Sequence, residues 1–516
     1  MEYKIKSLLD STIKKIFFLI VVTLISRIIF AEKYFFDIDT VNVALGSISY
    51  SLQQTRPHLP GYFLHVKIIS LLYYFFRDIH FSMMLLSITY SVSGTLLIFI
   101  LLKKWFVEQH AFMITLLIAF NPMVWFYGIT PEVYSIDLFF SALVVLLGLK
   151  SKTIYTLPIL IALLSGLRQT SGMLIIPLYI FLWIKKFKNG EISISKFIGF
   201  HFLGLLVGLS WFLFMSRTTG GIKEYFELYQ TNSPMPSISF FQNIYQFSSY
   251  CFYVFVPIGF IILSMPLRKK SLNSFLSRED KDLMLLLALW FIPSLLVFTF
   301  FHYNKGYFLI SIIPLYTVVG FLLKKNIIKK WICWVIIILQ ILFFIFIPYR
   351  ESSIESLLSP EKRKQNLFET WKDRTFSSYL MASSKIKYQD EMISKISAII
   401  KENDFKTNSN ILLDPTISLF ARGIQFQFPT ETFITLDLHS HDCYFEYNRL
   451  NMDSRKGLDK IPNGTKVVAR LDFYNNYLRS IAANIVKRDN LVMIEINPQN
   501  HAKILYIYEK LFLREN

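Results

Sequence analysis

Long apolar stretches separated by short charged connections dominate the chain from its N-terminus to about residue 350. The stretches 16–30, 81–102, 111–126 and 331–348 are nearly uncharged. A helix needs about 20 apolar residues to cross about 30 Å of hydrocarbon, and backbone groups in lipid must bond within their own segment. The pattern therefore predicts membrane-spanning helices, several of full length and others a little shorter.

Basic clusters mark the connections on one side of this predicted membrane domain. Short cytoplasmic loops are enriched in Lys and Arg, and one alternating assignment places every basic cluster on that side. It predicts about eleven helices, with a cytoplasmic N-terminus and an extracytoplasmic C-terminus. The predicted helices are 14–31, 80–102, 110–128, 134–149, 153–166, 169–184, 196–215, 245–266, 282–300, 307–323 and 330–348. Because the fifth and sixth are short, we expect the bend between them to lie below the outer membrane surface, sheltered by protein or a cavity.

Composition and charge support the same interpretation. Apolar residues make up 53% of the 516 residues and charged residues only 17%, unlike a soluble protein. The net charge of +18 is concentrated between apolar stretches, so it indicates membrane topology rather than nucleic-acid binding. The N-terminus resembles a signal peptide, but no small-residue cleavage site precedes Glu32, and we interpret it as an uncleaved first helix.

The composition changes after Pro348, where polar residues become frequent. Residues 360–400 have a helical pattern, and short strand-like runs follow at Asn410–Leu413, 465–470, 491–496 and 504–508, with a predicted helix at 475–486. The fold class is thus an α-helical polytopic membrane protein with a small C-terminal α/β extracytoplasmic domain. We predict a transmembrane domain at 1–349 and a soluble domain at 350–516.

The first extracytoplasmic loop, residues 32–78, holds the most informative polar pattern. Asp37 and Asp39 flank one residue directly after a membrane helix. Carboxylates there are compatible with a general base that deprotonates an acceptor hydroxyl, with a divalent-cation site, or with an ordinary solvated loop. Two prolines and a glycine in 57–61 predict a rigid turn that holds Arg56 and His58 beside the carboxylates.

These motifs resemble bacterial membrane glycosyltransferases of the GT-C class, relatives of protein O-mannosyltransferases and of the aminoarabinose transferase of lipid A. The resemblance rests on residues 37–42 followed by 57–62, and it extends over about 14–350 through 121–128, 132–134, 166–170 and 302–307. Leu59 and Phe63 replace prolines that are usual in the family. No single motif is as specific as a P-loop, but their order and topological placement together are fairly specific. The C-terminal domain carries no part of the resemblance.

The resemblance implies transfer of a sugar from a polyprenyl-phosphate carrier, with inversion, on the outer face of a bacterial inner (plasma) membrane. By motif position the general base is Asp39, with Asp37 as the second candidate. The acceptor could be a lipid, a glycan or a protein, and membrane lipids surround the enzyme. No metal is assigned with certainty, although Asp37 and Asp39 could hold a divalent cation.

Further polar residues near the predicted outer face are candidate substrate-binding positions. Arg168 lies at membrane depth, where an ionisable residue is a functional candidate by default, although a structurally paired arginine would look the same. His302 and Lys305 are candidate phosphate ligands, and Glu132 could bind the acceptor or the sugar, or orient Arg56. The full set is Arg56, His58, Tyr62, Glu132, Tyr134, Arg168, Gln169, His302, Lys305 and Tyr307.

Two alternative functions remain beside this interpretation. A lipid-linked-sugar flippase or transporter would also have many helices and an intramembrane arginine, but paired halves with matching broken helices are not evident. An inactive scaffold whose soluble domain binds a partner is a further possibility. The run 439–443 contains two His, one Asp and one Cys, and this spacing is not diagnostic of a metal site.

Overall fold

The structure is a computed structural model that describes residues 2–232, 240–263, 277–300, 305–350, 371–372, 375–377, 379–402, 409–414, 416–436, 445–448, 456–458, 464–496 and 503. The helices before residue 350 are α1 (Glu2–Ile29), α2 (Ile38–Ile48), α3 (Phe63–Phe76), α4 (Ile79–Leu102), α5 (Glu108–Ala119), α6 (Pro122–Ile129), α7 (Ile136–Gly148), α8 (Leu157–Leu167), α9 (Gln169–Leu174), α10 (Ile176–Lys188), α11 (Ile194–Arg217), α12 (Ile222–Asn232), α13 (Phe240–Leu263), α14 (Arg278–Phe300), α15 (Leu309–Lys324) and α16 (Lys330–Phe346). Most of these helices overlap the predicted apolar stretches, whereas α2, α3 and α12 lie between those stretches.

Four segments among the described residues are long and apolar enough to cross a membrane: Ile79–Leu102, Gln169–Lys188, Ile194–Arg217 and Gly306–Lys324. The bent pair α5 and α6 makes a fifth if it forms one span. Only 6% of the most apolar part of α11 is buried, and this helix exposes Phe202, Leu206 and Leu213. An apolar surface of this size requires lipid or another apolar partner. The predicted count of about eleven spans is not confirmed by length and composition alone.

The sequence predicted one straight helix at 110–128, but α5 and α6 meet there at an angle of 62°. Pro122 begins α6, and a proline at the first helical position needs no donor partner. The side chain of Asn121 caps α6 by accepting from the N–H of Met123 at 3.0 Å, and its amide donates to the carbonyl of Tyr253 at 2.8 Å and to the hydroxyl of Tyr316 at 3.0 Å. These bonds satisfy polar groups at a break inside an apolar core.

The C-terminal part contains a seven-stranded sheet in the order β4-β3-β2-β1-β5-β7-β6. Strand β1 pairs in parallel with β2 and β5, and the other pairs are antiparallel. The strands are β1 (Asn410–Leu413), β2 (Thr432–Leu436), β3 (Phe445–Asn448), β4 (Lys456–Leu458), β5 (Lys466–Arg470), β6 (Ala482–Arg488) and β7 (Leu491–Ile496). Helices α17 (Ser383–Lys401) and α18 (Ala421–Gln427) pack against this sheet.

Two strand predictions agree with β1 and β7, and a third agrees with β5 to within one residue. The predicted helix at 475–486 is wrong. Only a short helical turn, Tyr474–Leu478, is present, and the chain then enters β6, which pairs antiparallel with β7. The predicted strand at 504–508 lies outside the described residues.

Candidate active site

The two carboxylates at the start of α2 have different environments. Asp37 is the N-cap of α2, and its side chain accepts a hydrogen bond at 2.8 Å from the backbone N–H of Asp39. Aspartate is favoured at this position because it satisfies a backbone donor of the first helical turn. The side chain of Asp39 is 46% exposed. Asp39 therefore presents a carboxylate that a substrate can reach, whereas the carboxylate of Asp37 is engaged in capping.

His58 connects Asp39 to a buried tyrosine. Its Nδ1 atom lies 3.4 Å from Oδ1 of Asp39, and its Nε2 atom lies 3.2 Å from the hydroxyl of Tyr62. The imidazole and phenol rings meet edge to face, with centroids 5.1 Å apart. Burial raises the pKa of Tyr62, nearby Tyr307 raises it further, and the guanidinium of Arg168 opposes the increase. Tyr62 therefore lies in the electrostatic neighbourhood of Arg168.

The predicted rigid turn is present between Ser51 and Gly61. The Arg56–Pro57 and Leu59–Pro60 peptide bonds are cis, and Gly61 has φ +115°, a conformation that side chains disfavour. Arg56 is buried and exchanges two 2.8 Å backbone hydrogen bonds with Ser51. The two hydrogen bonds between Arg56 and Ser51 give the loop a defined backbone path.

Two distant side chains hold the tip of this turn. The carbonyl of Pro60 accepts hydrogen bonds at 3.2 Å from the amide of Gln169 and from the hydroxyl of Tyr225. Gln169 was a predicted substrate-binding residue; in the structure its amide contacts the loop, and substrate binding by it stays a prediction. Tyr225 of α12 was not among the sequence candidates, because α12 lies in a polar stretch that carried no recognised motif.

Arg168 lies at the break between α8 and α9, where the sequence predicted a sheltered bend, and its side chain is fully buried. Its Nη1 atom bonds to Asp137, and to Ser171 at 3.0 Å. The guanidinium carbon lies 4.6 Å from the ring centre of Tyr134 and 4.7 Å from that of Tyr307. Cations over aromatic faces are stabilised by the negative ring face.

The structure identifies the residue that pairs with the guanidinium of Arg168. Asp137, which lies in the first turn of α7 and was not among the sequence candidates, is the buried ion-pair partner. Among the described residues, the Nε and Nη2 atoms of Arg168 have no hydrogen-bond partner although they are fully buried. A buried arginine with two unsatisfied donors is a costly arrangement unless something else binds there. Direct phosphate binding by Arg168 stays a prediction.

A tight turn next to Arg168 depends on a glycine. Residues Lys305–Phe308 form a 3-10 turn that leads into α15. A Cβ atom at Gly306 would lie 2.0 Å from the ring of Tyr134, so no side chain fits there. The turn can therefore pack directly onto the aromatic ring that covers Arg168.

Acidic residues gather at the base of the first loop. Glu32 is buried, and its pKa is raised by burial and by the nearby carboxylates of Asp390, Glu132 and Asp37. This places Glu132, a predicted site residue, close to the loop as expected. Glu32 and Asp390 were not among the sequence candidates, because Glu32 marked only a helix end and Asp390 lies in a polar helix without a motif.

Some predicted positions lie wholly or partly outside the described residues. His302 and the run 439–443 lie outside the described residues, and for Lys305 the structure gives the backbone position only. Within the described part of the chain, no cluster of three or more His, Cys, Asp or Glu side chains has a metal-binding arrangement. A divalent cation at Asp37 and Asp39 stays a prediction.

An apolar cavity of about 410 Å³ lies within the helical part, between α13 and α16. It is lined by side chains such as Phe252, Val256, Ile336 and Leu339, and Gln340 contributes an amide. Its character suits a hydrocarbon chain rather than a polar ligand.

Comparison with known proteins gives structural similarity only. No protein-family model and no curated protein matches the sequence. The crystal structure of ArnT from Cupriavidus metallidurans in the apo state matches with a TM-score of 0.55 at 12% identity, over 94% of this chain and 98% of that one. The structure of the same enzyme bound to undecaprenyl phosphate matches with a TM-score of 0.54 at 11% identity, over 93% and 97% of the two chains.

The chain therefore has a fold similar to that of ArnT, in agreement with the resemblance carried by its motifs. The similarity covers the C-terminal part as well, where no sequence resemblance was found. With this fold and its apolar helices, the protein is an integral membrane protein.

Proposed function

We propose that the protein is an inverting glycosyltransferase that moves a sugar from a polyprenyl-phosphate carrier to an acceptor hydroxyl at the extracytoplasmic face. The observation that carries the proposal is the position of Asp39. This half-exposed carboxylate sits on a helix N-terminus beside His58, and the Tyr62 next to His58 lies in the electrostatic neighbourhood of Arg168. Departure of a phosphate from a sugar, with attack by a hydroxyl, requires a base for the acceptor and a cationic group for the phosphate.

In this proposal Asp39 removes the proton of the acceptor hydroxyl as that oxygen attacks the anomeric carbon. The bond from the anomeric carbon to the phosphate oxygen breaks on the opposite face, so the configuration inverts. His58 holds the carboxylate in position through its 3.4 Å contact. Asp37 acts as the cap that fixes the first turn of α2.

The departing lipid phosphate needs cationic donors because negative charge develops on it. The proposed donors are Lys305 and Arg56, together with the two unsatisfied donor atoms of Arg168, Nε and Nη2. Tyr134 and Tyr307 flank that guanidinium and form the wall of the phosphate site. The neighbouring structure that contains undecaprenyl phosphate supports a donor of this class.

The carrier tail would enter between helices from the bilayer. The apolar cavity between α13 and α16 is our candidate for part of its path. We propose a cytoplasmic N-terminus and a C-terminal domain outside the inner membrane of a bacterial cell, and the distribution of basic connections supports this orientation.

The test uses the full chain reconstituted in vesicles with undecaprenyl-phosphate sugars labelled in the sugar, supplied with lipid A, polysaccharide and protein acceptors in parallel. We expect label to move to one acceptor class with release of undecaprenyl phosphate and inverted anomeric configuration. Donor that crosses the bilayer with its sugar bond intact would identify a flippase instead. Release of sugar with retained configuration would exclude the inverting mechanism.

A further inference from the structure

The C-terminal domain contacts the first loop immediately beside the two carboxylates. Asp390 of α17 accepts hydrogen bonds from the backbone N–H groups of Lys33 at 3.0 Å and Tyr34 at 3.1 Å. The ring of Phe36 packs on that of Phe420, with centroids 5.6 Å apart. The loop that leads to Asp37 is thus bound to residues of the C-terminal domain that lie more than 340 positions later in the chain.

Helix α18 approaches the loop at backbone distance. A Cβ atom added to Gly423 would lie 2.0 Å from the carbonyl oxygen of Phe35, so only glycine permits this contact. The rings of Phe35 and Phe426 meet edge to face at 5.0 Å. Because Phe35 precedes Asp37 by two residues, α18 fixes the chain directly before the helix cap.

A second contact reaches α2 itself. The Nη2 atom of Arg422 donates to the side-chain oxygen of Asn42 at 3.1 Å, and its Nη1 atom donates to Gln425 at 2.7 Å. Asn42 is buried, and it follows Asp39 by three positions in the same helix. Residues three apart lie on neighbouring positions of a helix surface, so a hold on Asn42 limits rotation of the turn that carries Asp39.

We propose that Arg422 and Gly423 are positioning residues for the reaction, and that the C-terminal domain is a structural part of the active site. Arg422 acts through Asn42 and Gly423 acts through the backbone of Phe35, so neither touches substrate. The consequence for catalysis rests on the function proposed above. A base displaced by about 1 Å can lower a rate by about 10²-fold, which makes a rigid anchor at this place valuable.

The structural half of the proposal is tested by hydrogen exchange on the purified full chain in lipid nanodiscs. Arg422→Met removes the donors and keeps most of the apolar stem. We expect amides of α2 to exchange about tenfold faster or more in this variant, because the helix loses an anchor. The matched control is Arg488→Met, which removes a guanidinium of the same domain that pairs with Glu402, away from the loop. Its α2 exchange should equal that of the parent protein.

The catalytic half is tested with the same variants. Arg422→Met should lower kcat by about 10- to 100-fold with little change in the KM for donor, and Arg422→Lys should restore part of the loss. If Arg422→Met unfolds the C-terminal domain, Asn42→Ala replaces it, because this change removes the contact from the loop side.

Unchanged protection of α2 in folded Arg422→Met or in Asn42→Ala would overturn the proposal. Faster exchange with an unchanged kcat would overturn the positioning role as well. If the parent protein transfers no sugar at all, the proposed function fails, and the exchange data still decide whether the domain anchors α2.

Discussion

The Nδ1 atom of His58 lies 3.4 Å from Oδ1 of Asp39, and the opposite ring nitrogen lies 3.2 Å from the hydroxyl of Tyr62. One imidazole therefore bridges a half-exposed carboxylate and a buried phenol. The arrangement restrains the orientation of Asp39 without covering it. A carboxylate that is restrained but accessible is suited to accept a proton in a defined geometry.

The first prediction separates the two carboxylates. Asp39→Asn should lower kcat by about 10²- to 10⁴-fold, the usual contribution of a general base. Asp37→Asn should lower it far less, because the amide oxygen can still cap α2. Initial rates of sugar transfer from a labelled lipid-linked donor measure both. Equal losses in the two variants would contradict the assignment of Asp39 alone as the base.

The second prediction concerns the buried pair of Arg168 and Asp137. Asp137→Asn or Arg168→Met alone should destabilise the protein by about 3 kcal/mol, because each leaves an uncompensated buried charge or buried donors. The double variant should be less destabilised than the sum of the two changes. Thermal unfolding in detergent measures the cycle. If the two changes are additive, the pair is not a stabilising unit in solution.

The third prediction tests the tight packing of the turn before α15. Gly306→Ala should destabilise the protein by about 1–3 kcal/mol, because the new methyl group would displace the ring of Tyr134. Gly259→Ala in α13 is the matched control, since a Cβ atom there meets nothing within 4 Å and alanine favours a helix. The control should have an equal or higher unfolding temperature than the parent. A loss of the same size in both variants would mean that packing on Tyr134 is not the cause.

The fourth prediction is a pH dependence at the contact between loop and domain. Burial raises the pKa of Asp390 from 3.8 to about 6, although the N–H groups of Lys33 and Tyr34 lower it. The folded state therefore binds the proton of Asp390 more tightly than the unfolded state. The contribution of Asp390 to stability is greatest at about pH 4 and below, and it is lost as the pH rises to about 6. The loss from Asp390 should be about 1 kcal/mol, because part of the carboxyl remains in water.

Unfolding temperatures of parent and Asp390→Asn between pH 4 and pH 7 measure this effect. The amide keeps an acceptor for Lys33 and Tyr34 but does not titrate, so its curve should be flatter. Buried Glu32 should leave a residual slope of the same sign, because its pKa is also raised. Identical pH profiles would show that Asp390 is not the titrating group.

Hydropathy located most helices before residue 350, because each apolar stretch is long and locally defined. It did not predict the bend at Asn121, since the partners of that side chain, Tyr253 and Tyr316, are more than 130 residues away. The error at β6 has a similar origin. The segment 482–488 is short and mixed in polarity, and its antiparallel pairing with β7 determines its conformation.

Motif order predicted the region of the site but not its internal contacts. His58 lies beside Asp39, as the rigid turn indicated, and Tyr62 lies beside His58. The partner of Arg168 could not be predicted, because Asp137 is 31 residues away and also fits an ordinary helix start. Gly423 and Asp390 had no signal in the sequence, since their importance follows from a contact between distant parts of the chain.

The bond between Asp390 and the backbone of Lys33 also has a consequence for biosynthesis. The two residues are 357 positions apart, and ribosomes add about 5–20 residues per second, so roughly 20–70 s separate their synthesis. During that interval the first loop lacks the domain on which it rests. A nascent chain therefore carries Asp39 long before the residues of the C-terminal domain that contact the first loop have been synthesised.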